Sequence, residues 1–144
     1  MTEPAPASAI DPPRVLMVDD SSTSRRQLRM ALEKAGIQVA EASEGVEGLW
    51  RARQQAFDLV LTDIHMPTMD GLEFIRELRK NPGYEGTPIY VLTSDGSRDR
   101  LAEGRAAGAT AWVIKPPNLP LLVDAIVKAT ATRRRTSDRL AGPA

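Results

Sequence analysis

Between Arg14 and Ala131, short apolar runs alternate with stretches whose apolar positions recur every three or four residues. Val15-Leu16-Met17-Val18 is an unbroken apolar run that stops at Asp19-Asp20, the pattern of a buried strand. The cluster from Ser21 to Ser24 supplies N-cap chemistry; Leu28, Ala31, Leu32 and Ala35 then share a helical face, and Gly36 stops it. Ile37 to Ala42 alternates as a second strand, and Ser43 is placed to cap a helix with Val46, Leu49, Trp50 and the stem of Arg53 on its inner face. Asp58 to Thr62 reads as a third strand, ending at Asp63. Leu72, Ile75 and Leu78 mark a third helix, closed by Asn81-Pro82-Gly83. Ile89 to Thr93 is a fourth strand, and Leu101, Ala102, Arg105 and Ala106 lie on a fourth helix ended by Gly108. Ala111 to Ile114 is a fifth strand stopping at Lys115. Leu122, Ala125, Ile126 and Ala129 mark a fifth helix, with Pro120 in the first turn, where proline is tolerated.

Five strand–helix units in succession predict an α/β fold, a doubly wound parallel sheet with helices on both faces, in one domain. The length of 144 residues agrees, since a domain takes roughly 100–200. Residues 1–13, with Pro4, Pro6, Pro12 and Pro13, read as a flexible leader; residues 14–131 form the folded domain. Residues 132–144 read as a frayed helix end running into a basic disordered tail, with Arg133-Arg134-Arg135 suited to the negative end of the helix dipole.

Composition excludes several kinds of chemistry. With no Cys and His65 as the one His, there is no disulfide, thiolate metal site, Cys nucleophile or multi-histidine zinc site. The balance of 19 basic and 19 acidic residues argues against a dedicated nucleic-acid binder. No apolar run approaches the roughly 18 residues of a membrane span, and the leader lacks the layout of a secretory signal, so a cytoplasmic protein is expected.

Four of the five strands end at a residue with chemistry: Asp19-Asp20, Asp63, Thr93 and Lys115. Taken singly, these residues read as turn, cap or solvated positions. In an open α/β sheet, however, ligands bind beyond the carboxyl ends of the strands, near the switch in strand order. Three carboxylates meeting there repel one another unless a cation compensates. An all-oxygen donor set favours a hard ion, Mg²⁺ before Zn²⁺. With Lys115 as a compact positive charge, the rim suits a phosphoryl group held on or beside an aspartate.

Four blocks then carry a resemblance: Val-Asp-Asp-Ser-Ser-Thr-Ser-Arg-Arg (18–26), Leu-Thr-Asp-Ile-His-Met-Pro-Thr-Met-Asp-Gly (61–71), Val-Leu-Thr-Ser (91–94) and Ala-Ala-Gly-Ala-Thr-Ala-Trp-Val-Ile-Lys-Pro (106–116). In this order they resemble the receiver domain of two-component response regulators, in the spacing of the stand-alone, CheY-like chemotaxis type. The resemblance implies a flavodoxin-like (βα)5 fold with strand order 2-1-3-4-5. It implies Asp63 as acceptor of a phosphoryl group from a histidine kinase. Asp20, Asp63 and the main-chain carbonyl of His65 would bind Mg²⁺ directly, and Asp19 through water. Lys115 would pair with the acceptor and then with the phosphoryl group, and Thr93 would bond a phosphoryl oxygen. Trp112, where Tyr or Phe is commoner, would turn inward as a switch; a plain exposed anchor on the output face is its other reading. Pro116 would follow a cis bond, and Pro117 stands where Phe is frequent. His65 and Asp95, two residues beyond Asp63 and Thr93, are candidates for setting phosphoryl lifetime, against a reading as solvated loop side chains.

The partners implied are a histidine kinase, an effector protein such as a flagellar motor switch component, and a phosphatase or phosphotransfer protein, with output through helix four, strand five and helix five. The chain ends soon after helix five, so no attached DNA-binding domain is expected. The alternative is a phosphate sink or relay carrier without its own effector. An aspartate-nucleophile phosphatase would need a second carboxylate two residues after the nucleophile, where His65 stands; the expectation is a phosphoacceptor, not an enzyme with turnover. Arg25, Arg26 and Arg29 read as a solvated helix face or a docking site for an acidic partner, and Gly71 as permitting a backbone bend after the Pro67 loop.

Overall fold

Val15 to Val18 carry no polar side chain because both faces of their strand are covered: Val15 and Met17 enter one apolar cluster, Leu16 and Val18 the other. The same division holds along the third strand, with Leu59 and Leu61 on one side and Val60 on the other. The computed structural model describes residues 11–141, with side chains as far as Arg133. In chain order the elements are β1 (Arg14–Val18), α1 (Ser22–Lys34), β2 (Gln38–Ala42), α2 (Gly45–Gln54), β3 (Leu59–Thr62), α3 (Gly71–Arg79), β4 (Ile89–Thr93), α4 (Arg98–Ala107), β5 (Ala111–Ile114) and α5 (Leu119–Ala141). All strand pairs are parallel and their order is β2-β1-β3-β4-β5, the flavodoxin-like arrangement. One cluster packs the sheet against α2, α3 and α4, the other against α1 and α5.

The strands lie close to where alternation placed them, and α3 buries its predicted stripe of Leu72, Ile75 and Leu78 with Phe74 added. Truncating a fully buried Phe74 to Ala costs about 3–5 kcal/mol. Two helices bury a different face. On α2 the inner positions are Gly45, Gly48 and Ala52, Leu49 is partly buried, and Val46 and Trp50 face outward. A Cβ on Gly48 would stand 2.9 Å from both Phe74 and Val18, so α2 approaches too closely for the large residues to lie inside. Ser43 is not its cap: Glu44 holds that position without a side-chain bond, and Glu47 reaches back to the Ser43 N–H at 2.6 Å. On α4 the buried residues are Gly104 and Ala107, while Ala102 and Ala106 are exposed.

The Pro13 carbonyl already accepts the Gln38 N–H at 2.8 Å, so ordered pairing begins at the last residue read as leader. Helix α5 runs from Leu119 to Ala141, through the stretch read as a frayed helix end. Its arginines are good helix formers, and the first breakers are Gly142 and Pro143. Residues 1–10 of the leader and 142–144 of the tail lie outside the described residues.

Candidate functional site

Register gathers the polar residues. Val18 pairs with Thr62 across β1 and β3, so Asp19 and Asp63 are each the next residue at the same sheet edge. The ladder extends into them: Asp63 N–H donates to Val18 O at 3.0 Å and Asp19 N–H to Ala42 O at 3.0 Å. Thr93 pairs with Ile114 across β4 and β5, and the next residue, Lys115, donates its N–H to Thr93 O at 2.8 Å. The Lys115–Pro116 peptide is cis, as the family pattern implied.

Carboxylate oxygens of Asp19, Asp20 and Asp63 lie within 4.8 Å of one another. Asp19 and Asp63 are buried, and Asp20 is exposed beside them. The Lys115 ammonium bridges the buried pair, 2.8 Å from Asp19 Oδ2 and 2.9 Å from Asp63 Oδ2. Burial opposes the charge on Lys115, but the hydrogen bonds to Asp19 and Asp63 outweigh it and raise its pKa above the ordinary lysine value. Asp63 Oδ1 accepts the N–H of Ile64 at 2.6 Å, and Asp19 Oδ1 accepts that of Ser21 at 2.8 Å. The same turn starts α1, where the Ser21 hydroxyl caps the helix by accepting the Ser24 N–H at 3.2 Å.

Three carboxylates thus face one ammonium, and the donors are all hard oxygen atoms. That set fits a divalent cation, for which Asp20 on the open side and the neighbouring Asp63 and Asp19 offer the oxygens.

Thr93 is fully buried, and its hydroxyl accepts the Asp95 N–H at 3.3 Å. His65 Nε2 stands 3.5 Å from Asp95 Oδ2 across the β3–α3 and β4–α4 loops, with the His65 side chain still mostly exposed to solvent. The Ser97 N–H and hydroxyl, with His65 adding, hold the Asp95 carboxyl below the usual carboxylate range. The Trp112 indole N–H donates to the Asp95 carbonyl at 3.0 Å, and its ring packs half-buried against the core. Trp112 is therefore turned inward, not standing as a plain exposed anchor.

Other residues shape the site without having been read as part of it. The Arg25 guanidinium donates to the Asp19 carbonyl and pairs with Glu41 at 3.1 Å, while Arg29 pairs with Glu33 and Glu41, each at 2.5 Å. Two of the three arginines read as a solvated face are thus paired within the chain, although Arg29, like Arg26, stays exposed. Gly71 opens α3 with its N–H bonded to Ile64 O at 2.8 Å, and a Cβ there would lie 2.0 Å from the Asp63 carbonyl oxygen. Only glycine lets a helix begin against the backbone of Asp63. The Asp-Gly pair at 70–71 carried that signal, since Asp70 caps the same helix by accepting the Glu73 N–H at 2.9 Å. Beside Lys115, a cleft of about 370 Å³ opens between α1 and the β5–α5 loop, lined by Gln27, Leu92, Pro116, Pro117 and Leu119 among others.

Comparison with known proteins agrees with the geometry. The model of the response regulator receiver domain family matches residues 15–127. The chemotaxis protein CheY of Pseudomonas aeruginosa is 33% identical over 116 residues, covering 80% of this chain and 94% of that protein. The transcriptional regulatory protein ResD of Bacillus subtilis is 36% identical over 103 residues, 72% of this chain but 42% of ResD, so the likeness spans less than half of that relative. Among solved structures, the chemotaxis protein CheY4 of Vibrio cholerae superposes with a TM-score of 0.78 at 37% identity, covering 82% of this chain and 98% of that one. Among the described residues, no helix is long and apolar enough to cross a membrane.

Proposed function

From the premise that this chain belongs to the response regulator receiver family, and so to two-component signalling, we propose that it is a phosphorylation-driven switch whose acceptor is Asp63. The observation that carries the reading is the convergence of Asp19, Asp20, Asp63 and Lys115 at one sheet edge. A carboxylate oxygen of Asp63 attacks the phosphorus of a phosphohistidine on a histidine kinase. The new O–P bond forms as the P–N bond breaks, and the electron pair leaves on the imidazole nitrogen. Asp20, Asp63 and the His65 carbonyl would hold Mg²⁺, with Asp19 beside them. Such an ion would supply neutralisation of the negative charge gathered at this edge. Lys115 orients Asp63 before transfer and pairs with the phosphoryl group after it. Thr93 gives up its bond from the Asp95 N–H to donate to a phosphoryl oxygen. The bridge between His65 and Asp95 bears on lifetime by limiting water at the acyl phosphate, to be read by its decay in His65→Ala.

The protein acts as a stoichiometric acceptor, because position 65 offers a His where a turnover phosphatase needs a second carboxylate. The cleft between α1 and the β5–α5 loop leaves the approach to Lys115 open to the kinase or a phosphotransfer protein. Output passes through α4, β5 and α5 to an effector. Likeness to CheY along 94% of that protein favours a chemotaxis-type role in the cytoplasm, with a flagellar motor switch component as the kind of target.

Labelling by acetyl phosphate tests the acceptor: Asp63→Asn is expected to abolish it, and persistent label on another residue overturns the assignment. Partner capture with and without beryllofluoride tests the output. A protein retained only with beryllofluoride supports an effector, and no gain of partner points to a sink or relay carrier.

A further inference from the structure

The three carboxylates of the rim are not held alike. Asp19 and Asp63 each bond the Lys115 ammonium and a main-chain N–H. Among the described residues, the Asp20 carboxylate has no hydrogen-bond or ion-pair partner, so its aim is set by its backbone. That backbone is held from one side. The Arg25 guanidinium donates through Nη1 to the Asp19 carbonyl oxygen. This oxygen belongs to the peptide unit that joins Asp19 to Asp20, and the six atoms of a peptide unit, from Cα to Cα, lie in one plane. Fixing the oxygen fixes the plane on which Asp20 is mounted.

Arg25 reaches the carbonyl from the start of α1 and is itself braced by strand β2. Its Nε pairs with Glu41 Oε1 at 3.1 Å, the two side chains being 17% and 25% exposed. Arg29 takes the other Glu41 oxygen at 2.5 Å and also pairs with Glu33. Two guanidiniums thus meet two carboxylates, which places a donor at the rim without an unbalanced positive charge to repel a divalent ion. The planar fork matters. With Nε fixed on Glu41, Nη1 is directed at the carbonyl, whereas lysine carries one nitrogen on a flexible stem and cannot hold both acceptors in a fixed relation.

We propose that Arg25, braced by Glu41, is a positioning residue for the divalent-ion site: it clamps the Asp19 carbonyl and, through that peptide plane, aims the Asp20 carboxylate. The inference rests on the reading of Asp20 and Asp63 as ligands of the ion. Its structural half, the clamp on the β1–α1 turn, stands independently of that reading.

The test uses the full-length chain, first free of Mg²⁺ and then titrated with it by calorimetry. In Arg25→Ala, exchange of the Ser21 amide, bonded across the turn to Asp19 Oδ1, is expected to rise about tenfold, the effect of losing one hydrogen bond from a charged donor, while core amides stay unchanged. Mg²⁺ affinity is expected to fall about tenfold, as when a group that orients a metal ligand is lost. The sign separates positioning from plain charge, because removing a cation that merely lay near the ion would tighten Mg²⁺ binding. Arg25→Lys keeps the charge and loses the fork, and is expected to fall between the parent and the Ala variant in both measurements. Glu41→Gln added to Arg25→Ala is expected to change Mg²⁺ affinity little further, because the clamp is already open. If Arg25→Ala fails to fold, Arg25→Lys decides by itself. Unchanged Ser21 exchange overturns the clamp. Faster exchange with equal or tighter Mg²⁺ binding overturns the positioning role. A lysine variant equal to the parent in both overturns the fork. Unaltered Mg²⁺ affinity in Asp20→Asn overturns the ion-site reading and the positioning role with it, while Ser21 exchange still decides the clamp.

Discussion

The two edges of the sheet carry polar clusters of opposite character. At the amino edge, the Arg79 guanidinium donates to the carbonyls of Tyr84, Glu85, Thr87 and Gly108, and the Tyr84 hydroxyl lies within hydrogen-bond distance of the Ala52 and Gln55 carbonyls. Donors there meet neutral oxygens whose partners are all set by the fold. At the carboxyl edge, three carboxylates share one ammonium, and Asp20 stands open to solvent. One cluster matches main-chain oxygens with donors from within the chain; the other sets three carboxylates against one ammonium. Burial and hydrogen bonding alone therefore do not mark a site, whereas uncompensated charge at the end of a parallel strand does.

Breaking that comparison at each edge has separable consequences. The largest is expected from Asp20→Asn, which removes a charge from the open side of the carboxyl edge without disturbing a packed group. Mg²⁺ affinity, measured by calorimetry, should fall by well over the roughly tenfold that losing a partner one bond further from an ion brings, with the thermal midpoint preserved. Arg79→Ala should do the reverse. Leaving partly buried carbonyls without donors costs about 3 kcal/mol by denaturant titration, and labelling at Asp63 should persist.

The smallest effect sharpens the contrast by pH. Burial raises the Tyr84 hydroxyl from its usual value of 10.0 to about 12. Because the folded value lies above the unfolded one, its stabilising contribution is complete below pH 10 and is lost as the pH climbs toward 12. Tyr84→Phe should lower stability at neutral pH by about 1 kcal/mol, the worth of one hydrogen bond, and flatten the alkaline loss. Denaturation midpoints at neutral and alkaline pH check both.

Much of this was legible in the residues. Apolar runs ending at Asp19, Asp63 and Lys115 located three strands and the rim they share, because a fully buried parallel strand leaves no other place for a polar residue. What stayed hidden depends on close approach, which leaves no trace in hydrophobic periodicity. The inner faces of α2 and α4 run through Gly48 and Gly104, where the contact is made by an absent side chain. Arg25 looked like a solvated cation because its acceptor, the Asp19 carbonyl, belongs to the backbone and has no letter in the sequence. Gly71 was visible as a glycine beside a cap, but its closeness to the Asp63 carbonyl appears only once α3 is laid against β3. The Trp112–Asp95 bond likewise joins residues 17 apart in sequence through a main-chain oxygen.

Mapping the phosphoryl group by mass spectrometry after exposure to acetyl phosphate, across a Mg²⁺ titration with a chelated blank, tests the central claim most directly. The account predicts label on Asp63 alone, rising with Mg²⁺ and absent in the blank while circular dichroism stays constant. Label of equal extent without the ion, or on a residue other than Asp63, would contradict it.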